Sequence, residues 1–218
     1  MNGLTLQALG ISKVFNRRTI FSGINFILQA TNSLAVTGRN GSGKSTLLKI
    51  IAGVLSPTQG SVSLSITNKQ IDSKFRFQHI GFVAPYLQLY DEFTAWENLI
   101  IVRKIRGVKV DDGYLTRLLQ IMNLEERKND FVRTFSSGMK QRLKYAFALL
   151  HQPSVLILDE PTTNLDESGH EAVYDIIEEQ KRHGIVIVAT NDSEEVKLCE
   201  QVLDFDKLGQ YQVSKIMV

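Results

Sequence analysis

The spacing of apolar and polar positions changes character twice along the chain. In the first third, Val62, Leu64 and Ile66 alternate with Ser61, Ser63 and Ser65, the period of two expected of a half-buried strand. Leu34-Ala35-Val36-Thr37 is a short apolar run that enters a glycine-rich turn. Leu47, Leu48, Ile50 and Ile51 predict a buried helix over 46–52, with Gly53 as its stop. From about 91 to 150 the spacing becomes helical: Met139, Leu143, Ala146 and Leu150 share a face, and either Ser136 or Ser137 caps that helix. Unbroken apolar runs then return. Val155-Leu156-Ile157-Leu158 and Ile185-Val186-Ile187-Val188 read as parallel strands covered on both faces, with a helix over 168–182 between them. The pattern predicts an α/β chain with a mostly parallel sheet, mixed strands near the N-terminus and a mostly helical insertion.

Composition narrows the class. At 218 residues, 43% hydrophobic and 22% charged, the chain has material for one domain with a sizeable core and is not a disordered sequence. A net charge of +2 gives no electrostatic case for nucleic acid or an anionic membrane surface. The one basic cluster, Arg103, Lys104, Arg106 and Lys109, reads as a solvated helix end. Cys199 is the only cysteine, so neither an internal disulfide nor a cysteine-based zinc site can form. The longest uncharged stretch, residues 19–38, is interrupted by Ser22, Asn25, Gln29, Thr31, Asn32 and Ser33, and predicts no bilayer span. The first ten residues lack the basic start and apolar run of a secretory signal, so the chain reads as soluble.

Chemistry concentrates at two places. Gly38-Arg39-Asn40-Gly41-Ser42-Gly43-Lys44-Ser45 satisfies G-x-x-x-x-G-K-[ST], between a predicted strand and a predicted helix that begins near Thr46. The glycines let backbone N–H groups turn inward around a phosphate, and the helix N-terminus points its positive end at the same anion. Lys44 adds charge for the β- and γ-phosphates, and the Ser45 hydroxyl suits Mg²⁺. The second place is Asp159-Glu160, directly after a buried strand: Asp159 for the Mg²⁺ shell, Glu160 as general base toward water. The 115 positions from Lys44 to Asp159 are long for a compact nucleotide kinase. That interval holds Phe135-Ser136-Ser137-Gly138-Met139, a second glycine- and serine-rich helix start.

Together these stretches resemble the ATP-binding subunits of ABC transporters, over nearly the whole chain. Residues 38–45 match Walker A and 155–160 match Walker B; Phe135-Ser136-Ser137-Gly138-Met139-Lys140-Gln141-Arg142 looks like a variant signature motif, and Pro161-Thr162-Thr163-Asn164-Leu165-Asp166 looks like the D-loop. The resemblance implies a P-loop NTPase (RecA-like) core with an N-terminal antiparallel β subdomain and a helical subdomain at about 87–150, all within one domain spanning 1–218. It implies nucleotide contacts at Gly38, Asn40, Gly41, Ser42, Gly43, Lys44, Ser45 and Thr46. Phe15 falls where the family stacks an aromatic on adenine, although a Phe on a strand can equally be core. It further implies a head-to-tail homodimer over two Mg-ATP, in which Ser136, Ser137 and Gly138 of one copy meet the other copy's nucleotide. A separate transmembrane subunit would be the partner, on the cytoplasmic face of a membrane. The short chain and the Ser-Ser-Gly-Met-Lys-Gln-Arg variant are similar to haem-exporter and ABC-2-type subunits.

Two positions depart from the family. Pro85 stands where the Q-loop glutamine is usual, and proline has no side-chain amide; Gln88 is the nearby substitute. Asn191 stands where the switch histidine is usual; its amide can donate to a γ-phosphate but cannot become cationic. The alternative to an active ATPase is therefore a nucleotide-binding module with little hydrolysis. The aromatic run around Tyr86, Leu87, Leu89, Tyr90 and Phe93 is either a docking groove for the membrane subunit or packing of the insertion onto the core.

Overall fold

A computed structural model describes residues 3–207 and 214–215. Two sheets organise them. The antiparallel one has the order β2-β1-β4-β5, from β1 (Thr5–Phe15), β2 (Arg18–Gln29), β4 (Gln59–Ile66) and β5 (Lys69–Ile71). The larger has the order β10-β9-β3-β8-β7-β6, from β3 (Ser33–Thr37), β6 (Ile80–Val83), β7 (Val155–Asp159), β8 (Ile185–Ala189), β9 (Gln201–Asp204) and β10 (Ser214–Lys215). Its strand pairs are parallel except β10 on β9. The helices are α1 (Lys44–Ala52), α2 (Ala95–Arg106), α3 (Asp112–Ile121), α4 (Ser137–Leu149), α5 (Glu167–Lys181) and α6 (Ser193–Lys197).

The unbroken apolar strands are explained by what covers each face. Val155, Ile157, Ile185 and Ile187 point to one side, with Leu34 and Val36, and pack on α1 and the antiparallel sheet through Leu47, Ile51, Leu6 and Ile24. Leu156, Leu158, Val186 and Val188 point to the other, against Leu99, Leu119, Leu143, Tyr145 and Ile177 of the helices. Each such side chain, fully removed from water, contributes roughly 1.5–3 kcal/mol, which fixes the register on both faces at once.

The predicted helices form with small shifts. The first begins at Lys44 rather than Thr46, because the P-loop itself provides the first turn, and Gly53 ends it in a left-handed conformation at φ 81°. The helix expected over 168–182 begins at Glu167, since the Asp166 side chain accepts from the Gly169 N–H and caps it. Ser136, not Ser137, caps α4. The strand β9, unread in the sequence, pairs with β3 and extends the sheet beside the P-loop.

Candidate nucleotide site

The site sits where β3, β7 and β8 reach their C-terminal ends. Gly38 leaves β3 at φ 134°, and a Cβ there would stand 2.7 Å from Cβ of Phe205. Gly43, at φ 113°, would bring a Cβ within 2.7 Å of Ile20 Cγ2. Both positions therefore require glycine for space as well as conformation. No side chain caps α1, so its first N–H groups are left for an anion. The Ser42 hydroxyl oxygen, buried within the same loop, has no hydrogen-bond partner.

Lys44 is 6% exposed. Its ammonium donates to the Gly38 carbonyl, to the Arg39 carbonyl at 3.4 Å and to Asn191 Oδ1 at 3.2 Å. The Asn191 amide in turn donates to Asn40 Oδ1 at 3.0 Å. Ser45 Oγ donates to Asp159 Oδ1 at 3.0 Å, which brings together two residues 114 positions apart. Asp159 is buried, and its carboxyl is pushed above the usual carboxylate range by desolvation and then by the Glu160 charge; the Ser45 bond, Lys49 and Lys44 act against that rise. A hydroxyl beside a buried carboxylate is a hard-oxygen pair that fits Mg²⁺, which takes few protein ligands and completes its octahedron with phosphate oxygens and water.

Glu160 turns the chain sharply out of β7. It adopts φ 51°, its N–H donates to the Ala189 carbonyl at 2.9 Å, and its own carbonyl accepts from Thr163 at 3.3 Å. Glu160 lines a cavity of about 250 Å³ with Phe15, Ile20, Asn40, Gly41, Gly43, Lys44, Ser45 and Thr46. Phe15 is 43% exposed on this cavity rather than buried in the core, and Lys13 lies over its ring at 4.6 Å.

Ser136, Ser137 and Gly138 are not among the residues lining that cavity. The Ser136 hydroxyl accepts from the Met139 N–H at 3.1 Å, and a Cβ on Gly138 would press to 2.9 Å from the Asn164 carbonyl. Ser137 lines a second cavity of about 500 Å³ that includes Pro85, Gln88, Lys144 and Asn164. Gln88 therefore faces this second cavity. The Pro85 carbonyl accepts from Lys144 Nζ at 2.8 Å, which ties the end of β6 to α4. Tyr86 lies under Lys49, whose ammonium is 4.0 Å from the ring centre, and its phenol is pushed up by burial and by Asp159. Of the aromatic run, Leu87 and Leu89 pack on the helical core, whereas Tyr86, Tyr90 and Phe93 remain exposed.

Three contributors were not read from the sequence. Lys49, which acts on Asp159, is four residues after Ser45, so helical spacing could have found it. Ile20 reaches the cavity only through the β1–β2 pairing, which brings Arg18 opposite Phe15, and no local signal marks it. Glu195, 2% exposed, accepts from Thr162 Oγ1 at 2.5 Å and from its N–H at 3.3 Å, holding the turn after Glu160 to the segment after Asn191. The basic cluster also differs from a solvated helix end. Arg103 pairs with Asp112 at 2.7 Å, and Arg106 turns inward against His151.

The chain is similar to known proteins over most of its length. The ABC transporter family profile matches residues 21–163. The chain is 31% identical over 216 residues to the uncharacterized ABC transporter ATP-binding protein YybJ of Bacillus subtilis, covering 98% of this chain and 97% of YybJ. It is 34% identical over 205 residues to the lipoprotein-releasing system ATP-binding protein LolD of Hydrogenovibrio crunogenus, covering 88% and 89%. Several other relatives are longer, and the chain spans 65 to 66% of their length. Among solved structures, the dimeric ATP-binding cassette MJ0796 bound to ADP and Pi matches in fold with a TM-score of 0.84 at 23% identity, covering 98% of this chain and 99% of that one. With the family profile over more than half its length and a full-length relative at 31% identity, the chain belongs to the ABC transporter family as one of its ATP-binding proteins.

Proposed function

We propose that this chain is the ATP-hydrolysing subunit that drives a separate membrane subunit, closing head to tail on a second copy over Mg-ATP. One observation carries the reading: Lys44, Ser45, Asp159, Glu160 and Asn191, drawn from three separate stretches of sequence, converge at the ends of three adjacent parallel strands. The uncapped α1 N-terminus and Lys44 bind the β- and γ-phosphates. Ser45 and Asp159 hold Mg²⁺, which neutralises phosphate charge when bound. Glu160 takes a proton from the attacking water, and Asn191 donates its amide to the γ-phosphate while Asn40 fixes its orientation. Phe15 supplies an exposed ring for the adenine. Ser136, Ser137 and Gly138 act on the nucleotide of the second copy, consistent with their not lining the chain's own cavity.

The working unit in this reading is a single nucleotide-binding domain, with its core and β subdomain at about 1–86 and 151–218 and its helical subdomain at about 87–150. Among the described residues no helix is long and apolar enough to cross a membrane; in this reading the membrane subunit is a separate partner. Docking there would place the chain peripherally on the cytoplasmic face. A lipoprotein-releasing relative supports export as the direction. The second reading, a module that closes on ATP but turns it over slowly, is favoured by Pro85, which offers only a carbonyl already taken by Lys144.

The test is the mass of Glu160→Gln in solution. With Mg-ATP it is expected to run as a dimer and without nucleotide as a monomer. A monomer under both conditions contradicts the sandwich. Dimerisation of the wild type that persists indefinitely with ATP would favour the slow module.

A further inference from the structure

At the opposite end of the same sheet lies a cavity of about 360 Å³, lined by Phe77, Gln78, His79, Arg106, Gly107, Val108, His151 and Gln152. Three segments build it: the turn before β6, the C-terminal end of α2, and the residues that lead from α4 toward β7. Its polar lining consists of one guanidinium, two imidazoles and two amides, with no carboxylate.

Arg106 is half-buried here, and among the described residues no Asp or Glu lies within ion-pair distance of it. Arg103, one turn earlier, has its Asp112 at 2.7 Å. Arg106 instead makes long contacts, 3.4 Å to the Phe77 carbonyl and 3.3 and 3.4 Å to the two ring nitrogens of His151. The other side of His151 is committed, since Nε2 lies 3.0 Å from the Ile80 carbonyl and must carry the proton there. The ring is nevertheless held neutral: burial, then the Arg106 charge, push His151 down to about 4 against the Ile80 bond, which acts to raise it. A guanidinium has five N–H donors, so most of those on Arg106 remain unspent. A half-buried cation without a counter-ion is costly, and the groups around this one, the Phe77 carbonyl, the neutral His151 ring and two side-chain amides, carry no negative charge.

We propose that this cavity binds a phosphate-type oxyanion, free or as a small phosphomonoester, with Arg106 as the bidentate donor and His79 beside it. A guanidinium fork matches phosphate geometry, and the lining offers Arg106 no carboxylate to compete with that anion. Phe77 and Val108 give an apolar wall on which an ester group can rest. Because the lining comes from the turn before β6, from the α2–α3 junction inside the helical insertion and from the segment that leaves it, an occupant ties the insertion to the sheet at β6.

Imidazole ¹⁵N spectra of the full chain test this, because it has four histidines, His79, His151, His170 and His183. Inorganic phosphate, added at constant pH and ionic strength, is expected to move His79 and His151 saturably and to leave His170 and His183 in place. The His151 pKa should rise by about one unit or more when an anion neutralises Arg106. Lys44→Ala, which cripples the P-loop, should respond like the wild type, whereas Arg106→Gln should bind at least tenfold more weakly while keeping its nucleotide affinity. Arg106→Lys, which keeps charge without the fork, should fall between them. Glycerol 3-phosphate moving the same two rings at lower concentration assigns an ester, and an equal response assigns the free oxyanion. Silence of both rings, equal movement of all four, or an undiminished response in Arg106→Gln overturns the proposal.

Discussion

The two ends of the parallel strands place cations in opposite ways. At the C-terminal ends, Lys44 is nearly buried yet surrounded by acceptors, two loop carbonyls and the Asn191 side chain. At the N-terminal ends of β6 and β7, Arg106 is less buried yet has only a carbonyl and a neutral ring. The phosphate cradle at the first end is built chiefly from backbone groups of one loop, so eight consecutive residues encode it, with Asp159, Glu160 and Asn191 joining from two other stretches. The second is built from side chains of three distant segments, so no run of sequence announces it. Backbone cradles demand glycines at fixed spacing, while side-chain clusters demand only that the fold bring their members together.

The largest effect expected from breaking that comparison is at the metal pair. Asp159→Asn should lower turnover by about a hundredfold or more, since it removes the several kcal/mol that a positioned ion supplies. The same substitution should stabilise the nucleotide-free protein at neutral pH, because it removes a carboxylate whose charged form is disfavoured by burial. The folded-state pKa is raised, so the gain should be complete above that pKa and vanish as pH falls below the unfolded carboxylate value. Thermal melts across pH check this, and an unchanged Tm at pH 7 would count against the electrostatic account.

Next comes the far end. His151 titrates at about 4 when folded and near 6.5 when unfolded. Its neutral form is the stable one, so stability should be intact above pH 6.5 and be lost as pH falls toward 4, by about 3 kcal/mol at most. His151→Asn should flatten that window in denaturant titrations. A slope that persists in the variant would assign the acid loss elsewhere.

Gly43→Ala should cost about 1–3 kcal/mol from its φ of 113° and its 2.7 Å clash with Ile20. It should also abolish nucleotide binding, as calorimetry would report. The smallest effect is expected at Asp112→Ala. Its pair with Arg103 is exposed on the acidic side, so chemical denaturation should show a loss of about 0.5 kcal/mol or less.

Legibility followed the same division. The strands around Val155 and Ile185 could be read because both faces are covered, and the P-loop because its turn geometry admits few residues. The extra strand β9 and the inward turn of Arg106 could not, since each depends on a tertiary neighbour rather than on local spacing. Glu195 is the clearest case. In sequence it is one more acidic residue on a short helix, and only the fold buries it against Thr162.

The measurement that bears most directly on the central claim is ATP turnover by the purified chain with Mg²⁺, wild type beside Glu160→Gln. A base positioned on the cavity predicts measurable turnover that falls by about 10²–10⁴ in the variant, with ATP affinity retained. Equal rates in the two proteins would contradict Glu160 as the base and the site as a hydrolytic one.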